Sequence, residues 1–279
     1  MNNSAMEQML ASVKQLPPLS VAVAEVLASF ENQDVDVNEI TNKISLDQGM
    51  VTRVLRVANS AFYGFPSKVG TMHDAVVLLG LHNIRSLVVA AGLIRQFLPR
   101  ENGLFDQHLF WQHSIGTGVC ARVLAGRLGK DAELAFTAGL LHDIGRLVVE
   151  ASSPEKSDAV VKHSIDHATS LLEAEHAVLG FDHAAIGFEI TKLWHFPAAI
   201  QVAIRDHHRP EAGSGLLADL VHVANVLCHA LDIGTAEDDQ VPPLSEGVLQ
   251  RLGLRWEMIK DSLPEIERQN AAAESMLND

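Results

Sequence analysis

The sequence has little of what marks a secreted, membrane-spanning or nucleic-acid-binding chain. Its 279 residues hold two cysteines, Cys120 and Cys228. Two thiols so far apart make no disulfide framework, and their apolar, helix-like surroundings suit buried free thiols. Residues Met1 to Lys14 lack the apolar core of a signal peptide. The longest apolar run, Leu87 to Ile94, is too short to cross a bilayer. These absences imply a cytoplasmic protein that does not engage a membrane. Basic residues are outnumbered, 21 against 35 acidic, for a formal net charge of −14. Affinity for nucleic acid comes mainly from Lys and Arg neutralising phosphates, so no nucleic-acid partner is expected. Arg53, Arg56 and Arg85 are the best candidates for a local basic patch; the plainer reading is solvated helix faces. Aromatics are scarce, at 5%, which argues against strands, since strands favour aromatic and β-branched residues. No alternating stretch of useful length occurs. Val21 to Val23 and Val88 to Val89 both lie inside patterns of period 3.6.

What is present is helical punctuation. Asp36 with Glu39 has the spacing of a capping box. Asp47 is placed to cap a helix striped by Val51, Val54, Leu55 and Ala58, and Thr71 with Asp74 to open another running through Val76, Val77, Leu79 and Gly80. Leu81 to Phe97 reads as a long, mostly buried helix stopped by Pro99 and Asn102-Gly103. Phe110 to Leu128 is periodic, with Gly129 as its C-terminal cap. Ala132 to Val149 reads as one helix, ended by Ser152-Ser153-Pro154. Further helices fit residues 156–163, 168–179, 183–193, 198–207 and 216–231. Arg209 to Gly215 and Gly234 to Pro243 read as loops, and a final helix starts near Trp256. The implied fold is all-α, a multi-helix bundle. It divides into a lead-in (1–14), an N-terminal helical subdomain (15–100), a second helical subdomain (105–232) and a C-terminal loop and helix (233–279).

Every histidine except His73 and His82 falls beyond the linker near residues 98–105. The informative ones are His113, His142, His183, His207 and His208, with Asp143 beside His142 and Asn225 further on. Imidazole and carboxylate suit Zn, Fe, Mn or Ni. Adjacent residues of a helix point about 100° apart, so His142-Asp143 alone cannot hold an ion, and other helices must supply the rest. His163, His167, His176, His195, His222 and His229, with Asp166 and Asp182, read as ordinary surface or core residues.

That ordered series resembles the HD superfamily of metal-dependent phosphohydrolases and, within it, the HDOD (HD-related output domain) family. Leu16-Pro17-Pro18-Leu19 is similar to the family's opening. Ile44 to Gly64, ending Leu55-Arg56-Val57-Ala58-Asn59-Ser60-Ala61-Phe62-Tyr63-Gly64, is similar to its hallmark, and Ala75 to Leu87 to the segment that follows. Trp111-Gln112-His113-Ser114, His142-Asp143-Ile144-Gly145, His183-x-x-Ile186-Gly187, Trp194, Pro197, His207-His208 and Val223-Ala224-Asn225 continue it, so the resemblance spans about residues 15–232. It implies the HD-type bundle and a metal set of His113, His142, Asp143, His183, His207, His208 and Asn225. The departures are specific. Catalytic HD enzymes carry Asp where this chain has Asn225, a weaker neutral ligand. Asp219, six residues earlier, lies off that helical face. No Gly-Tyr-Pro element follows the double His; Arg209-Pro210-Glu211-Ala212-Gly213 stands there. Arg146 replaces a Lys; it can grip phosphate bidentately but cannot donate a proton as Lys can.

Two functions compete. The resemblance together with Asn225 implies a bacterial signal-transduction module, non-catalytic or weakly catalytic, with protein partners and a pocket for a metal or a small phosphorylated ligand. The alternative is a metal-dependent phosphohydrolase acting on a nucleotide or phosphoester. There His113, His142 and Asp143 would hold one metal, and His183, His207 and His208 a second metal or the phosphate, with Asp143 orienting the water. An unrelated helical scaffold with scattered histidines is the third possibility.

Overall fold

The computed structural model describes residues 3–13, 18–30, 36–60, 62–65, 68–97, 99–234 and 240–273. Three features of the sequence lie outside them: Leu16-Pro17, Ala61 of the hallmark and the acidic residues 235–239. Among the described residues there are sixteen helices and no strand. The N-terminal half contains α1 (Asn3–Val13), α2 (Val21–Ser29), α3 (Val37–Ser45), α4 (Gln48–Ala58) and α5 (Met72–Gln96). The middle contains α6 (Gln107–Arg127), α7 (Ala132–Leu141), α8 (Ile144–Ser152), α9 (Pro154–His167) and α10 (Leu171–Leu179). Then follow α11 (His183–Leu193), α12 (Ala198–Asp206), α13 (Gly215–Ala230), α14 (Glu246–Leu252), α15 (Trp256–Lys260) and α16 (Leu263–Ala273).

Helix starts follow the polar caps. Asp47, Thr71, Asp106, Asp131 and Asp182 each accept a hydrogen bond from a backbone N–H in the first turn, satisfying donors that have no partner inside a helix. Asp36 caps α3 through Asn38 N, without a reciprocal bond from Glu39. The two-sided capping box forms instead between Ser170 and Glu173 on α10.

The architecture is centred on α6, which packs against α7, α13 and α16. Its small residues matter here. A side chain at Gly139 of α7 would sit 2.8 Å from the backbone of Gly118 on α6, so the two helices touch main chain to main chain. The N-terminal helices gather on α5, which meets α2, α3 and α4 on one side and α7 on the other. Asn59 of the hallmark closes the loop after α4: its amide donates to the carbonyls of Leu55 and Val69 and its oxygen accepts from Val69 N. The lead-in helix α1 crosses to α8 and α11 and buries Met9 and Val13.

Several elements differ from the expectation. The two helices expected on either side of Gly80 run on as the single element α5, with Thr71 as its cap and a break at Gly80, whose φ of 80° is non-helical. Among the described helices it alone has the length and composition to cross a membrane, yet 56% of its most apolar window is buried inside the protein. Arg85 on it is no surface cation: it is 5% exposed and donates to Ser29 Oγ and Ser29 O. The helix expected over 132–149 is two helices, parted at His142-Asp143. The C-terminal region holds three helices, α14 packing on α13 and α16 on α6, where one was expected.

Candidate functional site

The break between α7 and α8 builds the site. In a continuous helix Asp143 N–H would take the carbonyl of Gly139. Here the His142 side chain takes it, Nδ1–H donating to Gly139 O at 2.7 Å. The end of α12 repeats the device, with His207 Nδ1–H donating to Ile204 O at 2.7 Å. His222 supports that turn, its Nδ1–H donating to His207 O while its Nε2 accepts from Ser245 N. His183 is the first residue of α11, and both its backbone N–H and its Nδ1–H donate to Glu175 Oε2, at 2.8 and 2.6 Å. Gly180, with a φ of 80° that favours glycine, turns the chain between α10 and α11 so that Glu175 reaches back.

Three imidazoles thus have Nδ1 engaged, which leaves each Nε2 directed inward. They meet around one atom. Asp143 Oδ1 lies 3.2 Å from His142 Nε2, 3.0 Å from His183 Nε2 and 3.5 Å from His207 Nε2. His208 Nε2 is 2.8 Å from His183 Nε2. On the far side of His142 stands His113 of α6, ring centroids 5.2 Å apart, with its Nε2 3.0 Å from Asn225 Oδ1 of α13. All seven residues singled out from the sequence as a metal set therefore gather in one place, drawn from six helix ends or faces. Six of them, all but Asn225, form two overlapping groups able to hold an ion: Asp143, His183, His207, His208 and His113, His142, Asp143.

The donor set fits a metal on its own chemistry. His142 Nε2 is buried and makes no hydrogen bond among the described residues, a costly state for a polar atom unless something else satisfies it. Donor separations of 3.0–3.5 Å are those of ligands sharing an ion at about 2.0–2.2 Å each. Imidazoles whose second nitrogen donates to a carbonyl or carboxylate are the usual outer arrangement of metal-bound histidine. The cluster of histidines and aspartate can therefore bind a metal, of unspecified identity.

Electrostatics are set by burial. It pushes the His113 imidazole down to about 4 and those of His142 and His208 well below the usual range, so these rings are neutral and available as donors. Burial also opposes charge on Asp143, but His142 and His183 around it outweigh that and hold its carboxyl well below the ordinary value. For His183 burial is likewise outweighed, by the carboxylates of Glu175 and Asp143, and the imidazole is raised well above its ordinary value.

A cavity of about 400 Å³ opens beside the cluster. Asp143, His113, His183, His208 and Asn225 form one end; Phe105, Phe110, Leu171 and Val241 form apolar walls. Arg146 also lines it, 3.4 Å from Asp143 Oδ2 and with its guanidinium 5.6 Å over the Phe105 ring. Three further residues belong to the site. Glu175 gave no sequence signal, because its partner lies across a turn whose geometry depends on Gly180. His229, read as an ordinary residue, has its ring centroid 4.6 Å from that of His113, the planes tilted by 50°, and lines the cavity; it lies one helical turn after Asn225, which is the signal that could have found it. Arg209 lines the same cavity. Asp219 is buried and committed elsewhere, paired with the half-buried Arg251, as its position off the Asn225 face implied.

An all-helical bundle that converges several histidines on an aspartate at a helix break defines a protein of the HD type. The chain belongs to the HDOD family, whose domain matches residues 16–210. Its structure matches that of an HDOD domain protein of unknown function from Geobacter sulfurreducens with a TM-score of 0.82 at 24% identity, over 98% of this chain and 97% of that one. A protein of Shewanella amazonensis described as a candidate phosphohydrolase matches with a TM-score of 0.77 at 29% identity, over 96% and 97%. Among curated relatives, an uncharacterised protein of Treponema pallidum is 27% identical over 236 residues, 82% of this chain and 45% of that protein. Ribonuclease Y of Lactobacillus acidophilus is 29% identical over 158 residues, 56% of this chain and 23% of that enzyme. The chain thus spans less than half the length of these curated relatives.

Proposed function

We propose that the chain is a cytoplasmic bacterial signalling module whose HD pocket holds a divalent metal (Fe, Zn, Mn or Ni) together with a small phosphorylated ligand, with little or no turnover. The observation that carries this reading is Asp143 Oδ1 ringed by three Nε2 atoms whose Nδ1 positions are already engaged. Such an ion, when bound, supplies Lewis acidity toward phosphoryl oxygens. The chain's own residues do the rest. Arg146, steered by Asp143 and the Phe105 ring, offers a fork of donors to a phosphate, and the apolar walls take a base or other flat group. With Asp143 as its carboxylate and Asn225 neutral, the cluster leaves a dication largely uncompensated. That favours binding of an anion beside the ion. The net charge of −14 argues for protein partners and against nucleic acid or membrane surfaces.

Phosphoester hydrolysis is the second reading. It is favoured by the Asp143 carboxylate, which lines the cavity beside the cluster and is placed to orient a water, and by likeness to ribonuclease Y. Metal analysis of the purified chain and of Asp143→Ala, with turnover assays on nucleotides and a generic phosphodiester in Mn²⁺, tests both. The first reading expects metal bound near stoichiometry, lost on Asp143→Ala, without turnover. Turnover that disappears in that variant would establish the second. A chain that takes up no metal at saturating Zn²⁺ or Mn²⁺ would sink both.

A further inference from the structure

A second cavity, of about 290 Å³, lies between the two halves of the molecule. Its floor is Trp111 and Ile115 of α6 with Phe136 and Leu140 of α7. Trp111 and Leu140 each stand two residues from a cluster histidine, about 200° around the helix, so this cavity faces away from the metal site. Its opposite wall comes from the N-terminal helices: Leu87 and Ile94 of α5, and three arginines, Arg53, Arg56 and Arg95.

The lining points to an occupant. Three arginines line one hollow in a chain whose net charge is −14, and of these Arg56 already has a partner. Arg95 reaches Asp47 at 3.2 Å through an exposed contact, which is weak and readily exchanged, and Arg53 makes no ion pair among the described residues. Cations above an apolar floor select a molecule with an anionic head and an apolar body.

We propose that this cavity is a binding site for a small amphipathic organic anion, bearing a carboxylate or phosphate head, that bridges the N-terminal half to α6 and α7. The site is independent of the chemistry assigned to the histidine cluster. It takes the head at Arg53 and Arg95 and the body against Leu87, Ile94 and Phe136.

The test uses the full chain and the fluorescent sulfonate 8-anilinonaphthalene-1-sulfonate as probe, with decanoate, adenosine monophosphate and inorganic phosphate as competitors. The expected result is a saturable probe site weakened at least about tenfold by Arg53→Glu, which is half-exposed and safe for folding, and by Ala90→Phe, which fills the cavity. Displacement by decanoate identifies an acyl carboxylate and displacement by adenosine monophosphate a nucleotide; phosphate alone leaves the probe in place. Both variants binding the probe like the parent, or neither organic anion displacing it, would overturn the proposal. So would displacement by phosphate alone at matching concentrations, since the apolar body would then be irrelevant.

Discussion

Glu175 shapes the site without standing on its face. Through Nδ1 it fixes the ring plane and the proton of His183, and with Asp143 it keeps that imidazole charged when no metal is present. Glu175→Gln keeps the volume and an acceptor oxygen but removes the charge. Outer carboxylates of this kind commonly carry 10–100-fold in metal affinity. The variant should therefore bind Mn²⁺ or Zn²⁺ at least about tenfold more weakly in a chelator competition, and unchanged affinity would show that His183 needs no orienting partner. Asn225 makes the opposite experiment. Its oxygen sits 3.0 Å from His113 Nε2, beside the cluster. Asn225→Asp places a second carboxylate there and should tighten metal binding by about tenfold or more, since negative ligands favour a hard dication. Titration calorimetry on the pair of proteins reads this directly. A variant no tighter than the parent would mean that residue 225 serves His113 and not an ion.

At the scale of helices, the site depends on close approach. A side chain at Gly145 would place its Cβ 2.0 Å from the carbonyl oxygen of His183, so α8 and α11 meet there without room for a methyl group. Gly145→Ala must push His183 away from Asp143. Overpacking of this kind costs on the order of 1–3 kcal/mol, a fall of several degrees in Tm for a chain of this size, and metal retention should fall with it. Gly126→Ala is the control: nothing lies within 4 Å of its Cβ position on α6, so its Tm should stay level or rise slightly, because glycine costs about 1 kcal/mol in a helix. Equal losses in the two variants would deny the close-packing account. The same contrast explains what the sequence could show. Caps such as Asp47 and Thr71 announce helices because one side chain satisfies a local backbone donor, and the order of the histidines foretold their meeting. The break at 142–143 was hidden because no Gly or Pro marks it; the interruption is made by His142's own side chain. Glu175 was hidden for a similar reason, since its partner becomes visible only once α10 and α11 have been folded against each other. The break at Gly80 was legible, since the helix opened by Thr71 reads to that glycine and a second one reads from Leu81.

For the molecule as a whole, the gathered imidazoles make stability a function of pH. In the metal-free protein His113 titrates at about 4 because burial disfavours its charged form, against about 6.5 in an unfolded chain. A group depressed in this way stabilises the fold fully above its unfolded value and ceases to as pH falls through the window between about 6.5 and 4. For His113 alone the difference is about 3 kcal/mol. His142 and His208 shift in the same direction for the same cause and steepen the loss. His183 does not offset it, because a raised imidazole is protonated in both states below about 6.5; its contribution fades instead on the alkaline side, as pH climbs toward its folded value. Stability of the chelator-treated chain, followed by urea unfolding, should therefore be greatest near neutral pH and decline steeply from about pH 6.5 to 4, above the range where most carboxylates protonate. His113→Gln keeps a hydrogen-bonding side chain and should flatten that decline by about one proton's worth of slope, roughly 1.4 kcal/mol per pH unit at most. A parent protein equally stable at pH 7 and pH 4.5 would mean that the rings accept protons without leaving the core. The neutral imidazoles could not then be the ready-made donor set on which the metal site depends.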